Sequence, residues 1–179
     1  MSTFRDLIKA ADSLRPGYAA SVGFDETGSL DTTGLPPQLV SVFRYVKGTP
    51  HEIAEQQWMD LLPGHRVMLA TEIPETRSKL HTFYGDDDLF SVIDRTPFMT
   101  NYSSDYYLAD DDGDGVFWLD HSGGVSRVSP NMETFLETLL ECYTSGAYKT
   151  DNDGFLDMDD DLELQIGRAH NPDCEYWDD

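Results

Sequence analysis

Tyr106-Tyr107-Leu108, Val116-Phe117-Trp118-Leu119 and Val125-Ser126-Arg127-Val128 are three short runs rich in β-branched and aromatic residues. Asp110-Asp111-Asp112-Gly113-Asp114-Gly115 separates the first two, and His121-Ser122-Gly123-Gly124 the second two. Strand-like runs joined by Gly- and Asp-rich turns predict an antiparallel meander. A helix follows at once. Ser129-Pro130 offers a cap and a first-turn proline, Met132, Phe135, Leu136, Leu139, Leu140 and Tyr143 recur at intervals of three and four, and Gly146 closes it.

Working outward toward the N-terminus, Phe4, Leu7, Ile8, Ala11 and Leu14 predict a helix over residues 3–15, stopped by Pro16-Gly17. Residues 18–34 read as loop. Leu35-Pro36-Pro37 opens a helix with Leu39, Phe43 and Val46 inside and Gly48 as its terminating glycine. Thr49-Pro50-His51-Glu52 matches a capping box, predicting a helix that buries Ile53, Ala54, Trp58, Leu61 and Leu62 before Pro63-Gly64. Val67-Met68-Leu69 predicts a short strand, residues 71–84 a weaker helix, and residues 89–93 another strand. The sum is an α+β fold: an antiparallel or mixed sheet with helices packed on one face.

Beyond the meander helix, residues 151–179 hold eleven acidic side chains against Arg168 alone. Leu162-Glu163-Leu164-Gln165-Ile166 alternates with period two, which predicts a half-buried strand. Tyr176 and Trp177 are placed to anchor the end.

The charge narrows the function. Thirty-four Asp and Glu against twelve Lys and Arg give the 179-residue chain a net charge of −22. Phosphate backbones and anionic lipid surfaces both repel such a surface, so direct nucleic-acid and membrane binding are disfavoured and a basic partner is the complement. No apolar run approaches the roughly 18 residues that span a bilayer. The first residues, Met1-Ser2-Thr3-Phe4-Arg5-Asp6, lack the pattern of an export signal. With Cys142 and Cys174 as the only cysteines, a reducing, cytoplasmic setting is expected.

Motifs of catalysis are missing. His51, His65, His81, His121 and His170 show no metal-ligand spacing, and neither a Gly-x-Ser-x-Gly elbow nor a phosphate-binding glycine loop is present. Asp110, Asp112, Asp114 and Gly115 fit positions 1, 3, 5 and 6 of a calcium loop, but position 12 is then His121 rather than glutamate. In the similar fragment Asp151-Asn152-Asp153-Gly154, the same alignment puts Lys149 at position 1. Neither reads as a metal site. The expectation is a protein with no catalytic residues, no metal and no cofactor.

The order of elements resembles the SUKH superfamily, also called the Smi/Knr-like family. Leu35-Pro36-Pro37-Gln38-Leu39 running to Phe43 and Gly48 is similar to its opening signature. Residues 67–73 resemble its short strand leading into a helix, and residues 113–120 its central strand after a Gly-Asp turn. Residues 124–128 resemble the next strand, and Met132-Glu133-Thr134-Phe135-Leu136 its terminal helix. The resemblance covers roughly residues 35–148 and implies a compact α+β core there; chain length predicts one domain overall, with an N-terminal helix and loop (1–34) before that core and an acidic extension on or near it (149–179). The resemblance also implies, most often, an immunity protein that neutralises a toxin domain, frequently a basic nuclease. Alternatives are a regulatory scaffold binding a cellular protein and a weakly calcium-responsive module.

With that resemblance, the concentration of charge in turns and tail selects the candidate partner-binding residues. They are Asp86, Asp87 and Asp88; Asp110, Asp111, Asp112 and Asp114 with Tyr102, Tyr106 and Tyr107 as aromatic anchors; and Asp157, Asp159, Asp160 and Asp161 with Trp177.

Overall fold

In the computed structural model, which describes residues 2–53, 55–84 and 94–178, the meander forms as expected. β3 (Tyr106–Asp110), β4 (Val116–Leu119) and β5 (Val125–Ser129) pair antiparallel, with Tyr107 opposite Trp118 and Leu119 opposite Val125. Two strands precede them, β1 (Arg66–Val67) and β2 (Arg95–Thr100), giving a five-stranded sheet in sequence order, antiparallel throughout. The fold is α+β.

Because successive side chains on a strand point to opposite faces, the sheet has two sides. Tyr107, Ala109, Val116 and Val128 join the main core with Phe4, Leu7, Ile8 and Ala11 of α1 (Thr3–Leu14) and Phe135, Leu136 and Leu139 of α5 (Met132–Ser145). Phe135 meets Phe98 edge-on at 5.8 Å and Tyr107 at 5.5 Å between ring centroids. Leu108 and Leu119 point the other way, onto Leu80 of α4 (Ile73–Tyr84). Packing on one face therefore describes α1 and α5, while α4 adds a layer to the opposite face.

β2 is absent from the sequence reading because Pro97 argues against an inner strand. The strand accommodates it with a register shift between Pro97 and Met99. The expected strand over residues 89–93 lies outside the described residues.

Several expected elements are different. Among the described residues, the segment between Gly48 and Pro63 forms a 3-10 turn, Gln56–Trp58, and not the expected helix. Thr49 N–H donates to Val67 O at 2.8 Å instead of starting a helix, so residues 47–49 run beside the outer edge of β1. Gly48 is likewise no helix terminator, since α3 (Pro37–Phe43) ends five residues earlier. Arg15, 3% exposed, holds the loop down: its guanidinium donates to Gln57 O, Asp60 O and Tyr143 Oη and stacks on Tyr18. Tyr18 itself belongs to a single helical turn, α2 (Tyr18–Ser21), within the expected loop.

α5 is capped by Asn131, whose side chain accepts from Thr134 N at 2.8 Å, rather than by Ser129; Gly146 closes it in the left-handed conformation. Residues 162–166 are helical, not a strand. They lie in α6 (Asp160–His170), which docks through Leu162, Ile166 and Gly167. An unanticipated hairpin, β6 (Tyr148–Thr150) and β7 (Leu156–Met158), joins α5 to α6.

The last turn, Glu175–Trp177, lies along β5. Glu175 Oε1 accepts from Arg127 N at 3.1 Å and Trp177 Nε1 donates to Val128 O at 2.8 Å, so two side chains take the places of a neighbouring strand. Arg168 ties the backbone of Trp177 and Asp178 to α6.

Candidate partner-binding surface

The turn between β3 and β4 spends half of its charge internally. Asp110 Oδ1 accepts from Arg95 Nε at 3.0 Å, and the same guanidinium lies 3.5 Å over the Phe117 ring. Asp111 pairs with Arg77 of α4 and accepts from Thr96 Oγ1 at 2.5 Å. Gln38 of α3 reaches in to donate to Asp110 O and Gly113 O. Asp110 and Asp111 thus bind the turn to α4 and β2, and only Asp112 and Asp114 face outward as exposed charges.

The three tyrosines expected beside this turn part company. Tyr107 is buried, its hydroxyl 3.2 Å from that of Tyr176, so it is a core residue and not an anchor for a partner. Tyr106 is half-buried on the α4 side. Tyr102 is 64% exposed in the β2–β3 connection, with its ring against His51 and its hydroxyl on Met59 Sδ. Of the two roles that the sequence gives Trp177, anchor of the chain's end and partner contact, its burial fits the first. Trp177 fills a slot against Gly167 and is 7% exposed, which makes it an internal anchor.

The hairpin and the start of α6 are arranged otherwise. Asp151 Oδ1 accepts from Asp153 N and Phe155 N, both at 2.9 Å, and shapes the hairpin tip. That geometry lifts Phe155 outward, 44% exposed. Asp157 points out from β7, Asp159 caps α6 by accepting from Leu162 N at 3.1 Å, and Asp160 and Asp161 occupy the first helical turn. Carboxylates there are favoured by the helix dipole. Among the described residues, none of Asp151, Asp153, Asp157, Asp159, Asp160 or Asp161 has a Lys or Arg partner.

The hairpin and the β3–β4 turn are built on different elements: the turn is tied to α3, α4 and β2, the hairpin adjoins α6 and, at Gly154, Gln57. Asp86, Asp87 and Asp88 lie outside the described residues. Phe155 is not among the sequence candidates, because Asp151-Asn152-Asp153-Gly154 resembles a fragment of a calcium loop. The same residues signal an Asx turn, which fixes the aromatic that follows.

Behind the hairpin the interior is polar in places. Tyr148 Oη donates to Glu163 Oε1 at 2.7 Å, and burial raises the Glu163 carboxyl above the ordinary glutamate range. Burial also pushes the Cys142 thiol up to about 12, which leaves it unreactive, and it raises Cys174 as well. No helix among the described residues is long and apolar enough to cross a membrane. Neither a protein-family model nor a curated protein matches the chain.

Proposed function

We propose that the protein is a non-enzymatic binding protein, an immunity protein of the SUKH type that neutralises a basic, nuclease-type toxin by covering its working surface. The observation that carries this reading is the C-terminal hairpin and the start of α6, where the exposed Phe155 stands on a segment carrying six carboxylates that have no Lys or Arg partner among the described residues. An exposed aromatic on a charged segment supplies the residue types from which protein-binding surfaces are built. The excess negative charge would steer a basic partner before contact. The family part of the proposal rests on the resemblance across residues 35–148.

The test is co-expression with inactivated toxin domains encoded beside the gene. One of them should co-purify at low salt and dissociate as salt is raised. In the variant carrying Asp157→Asn, Asp160→Asn and Asp161→Asn, association should slow by about tenfold with dissociation little changed. Phe155→Ala should instead speed dissociation. Failure of every neighbouring toxin domain to bind would end the inhibitor reading, and a wild-type association rate in the triple variant would end the steering mechanism.

A further inference from the structure

A groove of about 420 Å³ opens between α4 and the β2–β3 connection, and a nearly buried arginine lines it. Arg66 on β1 is 8% exposed; its Nη1 donates to Thr49 O at 2.8 Å and to Glu72 Oε2 at 2.9 Å. Among the described residues nothing accepts from its Nε or Nη2, and neither atom is sealed from solvent. The Nε–Nη2 edge of a guanidinium is one that a carboxylate can meet with two parallel hydrogen bonds.

The walls fix the charge of what would fit. Lys79 pairs with Glu75 at 2.8 Å on α4, and Glu72 stands beside Arg66, so two cations are balanced by two carboxylates. A plain anion would meet both glutamates and the field of a chain at −22. A zwitterion adds no net charge, and its ammonium group would face the glutamates. His51 and Tyr102 stand at the groove, their ring centroids 5.3 Å apart, positioned to cover an apolar side chain. Ser104 also lines it, at φ 65°, the single non-glycine residue in the left-handed region among the described residues. The turn that holds Ser104 is fixed locally by Asn101, whose Oδ1 accepts from Ser103 N and Asp105 N, both at 2.9 Å. The geometry points to this groove as a binding site for a small zwitterion of the α-amino-acid type, its carboxylate on Arg66 and its ammonium toward Glu72 and Glu75.

The full chain would be titrated with the natural α-amino acids, following heat and the ¹⁵N shift of Arg66 Nε. At least one should bind saturably and move that resonance. Its amide, which lacks the carboxylate, and its N-acetyl form, which lacks the ammonium, should each bind at least about tenfold more weakly. Arg66→Lys keeps the charge but loses the side-on edge and should weaken binding by a similar factor. Because Arg66 also holds Glu72 and Thr49, a second variant, Thr76→Phe, fills the groove from α4 without touching the arginine and should abolish binding in a protein with an unchanged melting temperature. No saturable binding of any amino acid, or undiminished affinity in both variants, would overturn the assignment. Neither result bears on the hairpin, whose partner binding is read separately.

Discussion

A Cβ atom added at Gly48 would stand 1.9 Å from Met68 O, and the residue sits at φ 97°. Both facts follow from the close passage of residues 47–49 beside β1. Gly48→Ala should therefore cost about 3 kcal/mol or more, read as a lowered urea midpoint with an unchanged slope. In the sequence this glycine reads as a helix end, because a terminator and a close backbone crossing ask the same thing of the residue. Glu163 makes the second case at this scale. Its raised folded-state pKa means that the fold binds its proton more tightly than the unfolded chain does, so stability falls as pH climbs from the unfolded value through the folded one. Glu163→Gln keeps an acceptor for Tyr148 and removes the ionisation. It should be more stable than wild type at pH 7, with the advantage vanishing below the ordinary glutamate range; an advantage that persists in acid would contradict a titration origin.

Among elements, those whose apolar spacing admits one period are legible and those that admit two are not. α1 and α5 repeat their apolar residues over several turns, and β3–β5 alternate between clear turn signals. Leu162, Leu164 and Ile166 span only five residues, and Leu162 with Ile166 fits a helix as well as a strand. The feature that decides for a helix is Asp159, which caps it by accepting from Leu162 N three residues on. Residues 49–58 mislead in the opposite way, since the capping-box pattern is present but Thr49 N–H is claimed by Val67 O. What holds that loop is Arg15, whose partners are 42, 45 and 128 residues away and so invisible to local pattern. Arg15→Met would strand those acceptors and remove the cation near Asp60, whose carboxyl burial already raises. A loss of about 3 kcal/mol is expected, with new proteolytic cleavage at residues 50–58 before global unfolding. Of the candidate surface, the acidic residues were legible in the sequence. Which of them are neutralised, as Asp110 and Asp111 are, depended on Arg95 and Arg77 arriving from other elements.

For the whole molecule, a net charge of −22 opposes compaction. Raising ionic strength from 10 to 150 mM shortens the screening length from about 30 to about 8 Å. The melting temperature should rise by about 2–4 °C over that range if the relief is near 1 kcal/mol; a fall would mean that the internal ion pairs outweigh the repulsion. The chain's pI near 4.2 marks the pH at which this repulsion disappears and molecules can approach one another. Exposed strand edges are then the dangerous surfaces, because free backbone groups template fibre growth. Here β1 is covered by residues 47–49, and β5 is closed by Glu175 and Trp177. The Arg127 N–H holds the Glu175 carboxyl below the usual glutamate range, so the carboxylate that closes β5 stays ionised further into acid than an ordinary glutamate. Precipitate formed near the isoelectric point should accordingly be amorphous and redissolve as native protein at neutral pH, with no thioflavin-positive fibres, because both edges of the five-stranded sheet are already occupied.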